Sequence, residues 1–143
     1  MSGKSTAFAD AFLKLIFNGT AIANIADNAA SSPLTHLYCS LHTVDPGLTN
    51  DQTSGEATYT GYARAAVARN SGGWTVSSNT VTPTVDILFP VGTGGFDDLL
   101  FYAIGTASTG TGSILFSGAF STDLYTGSAT QPVIPATTII TET

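Results

Sequence analysis

The chain has 143 residues, a length at which one domain is expected and about two-thirds of the unfolded surface becomes buried. Charged residues make up only 10%, against roughly 25% in an average globular protein, and Ser and Thr, about a quarter of the chain, take their place. Ten acids against Lys4, Lys14, Arg64 and Arg69 give a net charge of −6, and four scattered bases exclude the cationic footprint that nucleic acid or an anionic membrane requires.

The first predicted element is a helix. Ser5 or Thr6 can cap it, it runs to Phe17, and Asn18-Gly19 is its stop signal. Phe8, Phe12, Leu15 and Ile16 recur at three-to-four spacing, with Leu13 and Phe17 widening the stripe. Asp10 and Lys14 can pair on the opposite side. Such a stripe more often faces a core than a partner. Three phenylalanines on a terminal helix nevertheless make Phe8, Phe12, Ile16 and Phe17 the candidate partner interface. The run AFLKLIF is too short to span a bilayer and makes a poor signal peptide, so no membrane partner is expected and synthesis in a cytoplasm is.

Thr20 to Pro33 is Ala-, Asn- and Ser-rich and reads as loop with a weak helical turn. The chain then becomes β. Candidate strands are 36–44, 62–69, 74–77, 79–89, 99–104, 113–120 and 132–141, punctuated by Gly-rich turns. In 79–89, Val81, Val85, Ile87 and Phe89 alternate with Thr80, Thr82, Thr84 and Asp86, and Pro83 argues for an edge or a bulge there. Leu99 to Ile104 is apolar on both faces and reads as a central strand. The expected fold is mainly β, an antiparallel sandwich or jelly-roll-like single domain with an N-terminal α-helix. It divides into helix and arm (1–33), β-domain (34–130) and a C-terminal strand or arm (131–143).

Chemistry is sparse. Gly3-Lys4-Ser5-Thr6 resembles the end of a phosphate-binding loop but lacks the earlier glycine and the preceding strand. His36 and His42 share a strand face, about 20 Å apart, too far to share a metal, and read as surface or rim imidazoles. Cys39, the sole cysteine, reads as a small buried hydrophobe beside Leu37 and Leu41. Asp97 and Asp98, adjacent on a strand, face opposite ways and make a poor catalytic pair, while loop acids Asp45, Asp51 and Glu56 leave a calcium site as a minor alternative. No catalytic residue, metal site or cofactor is assigned, and no enzyme is expected. Trp74, Tyr59 and Tyr62 are candidates for a glycan-stacking platform, although such aromatics more often fill cores.

Taken together, LYCSLHTVDPG from Leu37, GYAR at 61–64, GGWTV at 72–76, ILFP at 87–90 and ILFSGAF at 114–120 resemble a family of small tailed-bacteriophage proteins. Its members are often labelled phage tail fibre protein or virion structural protein. The order of motifs matches from Leu37 to about Phe120, whereas the acidic 92–98 loop and the C-terminal QPVIPATTIITET depart from it. The resemblance implies a virion location and homo-oligomeric assembly, with no catalytic residues to transfer. Expected partners are therefore copies of the chain and other virion proteins, major capsid or tail. A capsid decoration or cement subunit is slightly preferred, because the chain lacks the repeats of a fibre shaft; the alternative is a tail-fibre or tail-associated subunit, including a host-glycan-binding module.

Overall fold

The computed structural model describes residues 4–22, 25–26, 33–47 and 51–143. The fold is mainly β and antiparallel, with one N-terminal helix. Contacts divide the chain into two units. One comprises Met1–His36, Ala68–Asp86 and Pro135–Thr143, the other Leu37–Val67 and Ile87–Ile134.

In the first unit the helix α1 (Thr6–Asn18) has the ends its sequence predicts. The Ser5 hydroxyl accepts from the Phe8 N–H at 3.2 Å, and Gly19 takes the left-handed conformation (φ 65°) that ends a helix without a Cβ clash. Asp10 and Lys14 pair at 2.8 Å. The buried residues are Ala9, Leu13 and Phe17, at four-residue spacing. The buried face is thus rotated from the stripe centred on Phe8, Phe12 and Ile16, and the helix packs on two strands of the same unit.

Those strands, β3 (Trp74–Ser77) and β4 (Thr80–Pro83), form a sheet with β9 (Ile140–Thr141) in the order β3-β4-β9. Phe17 meets Trp74 edge-on, ring centroids 4.8 Å apart, and Val81 and Ile140 complete the core. Pro83 pairs with Trp74, beyond the two-residue reach of β9, so no ladder bond is lost on that side.

The expected single strand 79–89 divides here. Thr84 and Val85 bend, Val85 is 68% exposed, and the alternation resumes in β5 (Ile87–Leu88) with Ile87 and Phe89 buried. The expected strand 132–141 likewise divides into β8 (Val133–Ile134) and β9. The loop expected over 20–33 lies largely outside the described residues.

Two long-range ties close this unit. Lys4 bonds the Glu142 carboxylate and the Thr143 carbonyl, both at 2.6 Å. Arg69 reaches the carbonyls of Leu15, Ile16 and Leu34. The helix has no base in its last turn, and Arg69 supplies the positive charge that its exposed carbonyls favour.

The second unit is built on a sheet of order β2-β1-β6-β7, where β1 is His36–His42, β2 Ala65–Ala68, β6 Asp98–Gly105 and β7 Ile114–Tyr125. As expected, the 99–104 segment is central, paired with β1 on one side and β7 on the other. Between Leu99 and Phe101 the register of β7 jumps. Residues 120–123 stand opposite Leu100 alone, a bulge of four residues against one. β5 and β8 pair separately, Ile87 with Ile134 and Leu88 with Val133. Leu37, Cys39, Leu41, Tyr59, Phe89, Leu99, Ala103, Ile104 and Ile134 form the core.

Candidate functional site: a sealed polar cluster and an exposed aromatic pair

Alternation in β1 puts Leu37, Cys39 and Leu41 on one face and Ser40 and His42 on the other, yet all five are buried. The polar face is covered by the loop that follows, in which Gln52 has no exposed surface. Gln52 donates to the Tyr38 carbonyl at 3.1 Å and to the Ser40 hydroxyl at 3.4 Å, and accepts from the Ala107 N–H at 3.1 Å. A Cβ on Gly105 or Gly112 would collide with the Gln52 amide, which is why both positions are glycine.

His42 is therefore an interior residue, correcting the reading of both histidines as surface or rim imidazoles; His36 is exposed. The His42 Nδ1 lies 2.8 Å from the Ser54 carbonyl and must donate to it, leaving Nε2 to accept from Ser40 Oγ at 2.9 Å. Burial holds the imidazole below its ordinary pKa, opposed by the Ser54 carbonyl and the Glu56 charge. A Ser–His contact can activate a hydroxyl, but this one is sealed from solvent.

Beside it, Glu56 receives a bidentate pair from Arg64 (2.6 and 2.8 Å) and the Tyr62 hydroxyl at 2.8 Å. Arg64 also donates to the carbonyls of Ala107 and Gly110, stitching this loop to the β6–β7 connection. Burial, then the Glu56 charge, raise the Tyr62 pKa far above its ordinary range. An open pocket of about 240 Å³ lies over Glu56, Tyr62, Arg64 and 108–110. Its charged groups are already neutralised by one another.

The remaining acids have local duties. Asp45 accepts from the Gly47 N–H, and Asp51 accepts from Thr53. Asp97 accepts the backbone N–H groups of Thr58 and Tyr59 at 2.6 and 2.7 Å. Asp98 opens β6. Among the described residues no cluster of three or more His, Cys, Asp or Glu side chains could hold a metal ion. Lys4 and Ser5, which resemble a phosphate-loop ending, instead tie the unit's termini and cap the helix. Cys39 is buried as expected, and burial pushes its thiol up to about 12.

Trp74 and Tyr59 are buried, and Tyr62 is half-buried with its hydroxyl engaged by Glu56 and the Leu41 N–H. Of the three, Trp74 and Tyr59 present no face to solvent, and only Tyr62 borders the open pocket. The exposed aromatics are elsewhere: Phe96 (68%) and Tyr125 (56%) stack with centroids 5.9 Å apart. Of the candidate interface residues, Phe8 is 39% exposed, Phe12 and Ile16 are half-buried, and Phe17 is wholly buried. Gln52, Arg64 and Phe96 escape a motif search because their roles depend on which loop lies over which strand.

Helix caps, turn-holding acids, a sealed polar plug and short antiparallel sheets define a small β-rich protein whose polar side chains hold its own loops in place. Comparison with protein families makes this particular. The family model described as podophage GP4 fiber I protein gp80 matches residues 3–142, and the chain belongs to that family of fibre-related phage structural proteins. Its role is that of a fibre-like component of the virion. A comparison with curated proteins found no match. No helix among the described residues is long and apolar enough to cross a membrane.

Proposed function

We propose that the chain is a non-catalytic subunit of a podophage fibre, joined to copies of itself and to other virion proteins on the outside of the particle. The observation that carries this reading is β7. It is an edge strand of twelve residues, none of them buried, and among the described residues no strand lies beyond it. Asp123 is its only charged residue, and it has neither Lys nor Pro to discourage pairing. A long edge with a single charge is covered most simply by another strand, and an antiparallel copy of β7 is self-complementary.

Sedimentation tests the reading. The purified chain should run as a multiple of 14.6 kDa. Lysines at the exposed positions Ser117 and Ala119 should return it to a single copy while leaving it folded. A wild-type chain that sediments as a monomer at tens of micromolar would overturn it.

Capsid decoration is the second reading, supported by a short chain without the repeats of a shaft. Copy number separates the two: decoration requires hundreds of copies that remain with tail-less heads, whereas a fibre subunit is scarce and leaves with the tail.

A further inference from the structure

We propose that Ser40, His42 and Gln52 build an internal ester cross-link, in which the Ser40 hydroxyl displaces ammonia from the Gln52 side-chain amide. All three residues are wholly buried. Ser40 Oγ lies 2.9 Å from His42 Nε2 and 3.4 Å from Gln52 Nε2, the atom bonded to the amide carbon. The Ser54 carbonyl, 2.8 Å from His42 Nδ1, fixes the tautomer whose unprotonated Nε2 faces the hydroxyl. Burial keeps that imidazole neutral at pH 7. Gln52 Oε1 accepts the Ala107 N–H at 3.1 Å, a donor placed where negative charge would develop, while Nε2 is directed at the Tyr38 carbonyl. Nucleophile, base, acyl group and oxyanion donor are thus assembled in one place. Apolar side chains would plug this face of β1 equally well, as Leu37, Cys39 and Leu41 fill the other.

The step is an acyl transfer. His42 Nε2 takes the Ser40 proton as Oγ bonds to the Gln52 Cδ, and the carbonyl electron pair moves to Oε1, beside the Ala107 N–H. When that pair returns, the Cδ–Nε2 bond breaks. The proton held by His42 passes to the departing nitrogen, which leaves as ammonia. One O–H and one C–N bond are exchanged for one C–O and one N–H bond, and no oxidant or co-reactant is needed. The amide first turns about Cγ–Cδ so that its carbon faces Oγ, a rotation of a soft terminal torsion. Gly105 gives the amide its room: a Cβ there would stand 2.2 Å from Gln52 Cδ. Fixed reactants compensate for the poor leaving group, and the reaction need occur only once per chain. Exclusion of water protects the ester from hydrolysis. Ammonia is protonated on reaching bulk water, which draws the exchange forward. The product closes 40–52 into a covalent ring, so the covering loop cannot be lifted from β1.

Intact mass spectrometry of the full chain, unfolded in acid after a week in the folded state, tests this. The wild type should be lighter than its sequence by the mass of one ammonia, and Ser40→Ala and His42→Ala should keep the full mass. Other cyclisations lose the same mass, so the chain is also cut on the N-terminal side of its aspartates. Peptides 27–44 and 51–85 should emerge joined, and mild alkali should separate them. A wild type of full mass overturns the proposal, as does an ammonia loss that leaves the two peptides separate. So does an ammonia loss retained by Ser40→Ala or His42→Ala. Hydrolysis of Gln52 to a free carboxylate, with Ser40 unmodified, would show water taking the acyl group and would equally overturn it. Should the variants fail to fold, the mass and peptide linkage of the wild type decide alone. Because the mass is read on single unfolded chains, the result stands apart from the oligomeric state and from the fibre reading.

Discussion

His42 shows how a single side chain couples this fold to pH. Its ring is buried, donates from Nδ1 to a carbonyl and accepts at Nε2, so a second proton would bring a charge into an interior that cannot solvate it. The folded pKa therefore lies below the ordinary 6.5. Above pH 6.5 the imidazole is neutral whether folded or unfolded. As pH falls below that value the unfolded chain takes up the proton first, so stability declines until the folded ring also protonates. The urea midpoint should accordingly be lower at pH 5 than at pH 7.5, and His42→Gln should flatten that dependence even though it lowers the midpoint at neutral pH. An unchanged slope in the variant would assign the effect to other groups. The sequence makes the strand and the shared face of His36 and His42 legible. It does not reveal which face Gln52 will cover, because that depends on a contact fourteen residues away from Tyr38 and on glycines at 105 and 112.

At the scale of elements, the parts read correctly are those governed by local chemistry. Ser5, the apolar spacing and Asn18-Gly19 bound the helix within one residue of its observed ends, and the apolar 99–104 run lies at the centre of its sheet. Misread parts depend on partners distant in sequence. The strand over 79–89 breaks because β4 ends at Pro83, opposite Trp74 where its antiparallel partner β3 begins, while Ile87 and Leu88 pair with β8. The helix is similarly anchored from afar, by Arg69 on the carbonyls of Leu15 and Ile16. Charged hydrogen bonds contribute about 1.5–3 kcal/mol each, so Arg69→Ala should destabilise the first unit by about 2 kcal/mol or more. Arg69→Lys, which keeps the charge and loses the fork, should recover only part of that. Chemical denaturation followed by the fluorescence of Trp74, which packs on this helix, measures both. Equal stability of all three proteins would show that the helix is held by its apolar face alone.

For the whole molecule, the question is how a chain with so little charge is held in a particle. Opposing apolar surfaces must do most of the work, and α1 divides its own between two uses. Ala9, Leu13 and Phe17 face inward, while Phe8 and Phe12 lie on the shoulder where the ring of Phe8 meets solvent. The four residues grouped by sequence as one interface therefore separate physically. Phe17 is wholly buried against Trp74, and Phe17→Ser should cost about 3–5 kcal/mol and unfold the first unit. Phe8→Ser combined with Phe12→Ser removes only partly exposed surface, so the fold should persist with a modest loss. If the helix shoulder docks on a neighbouring virion protein, that double variant should also fail to co-sediment with particles lacking the native chain. Circular dichroism and co-sedimentation on the same preparations decide the matter. Unfolding of the double variant would return Phe8 and Phe12 to the core, and a folded variant that still binds particles would move the docking surface away from the helix.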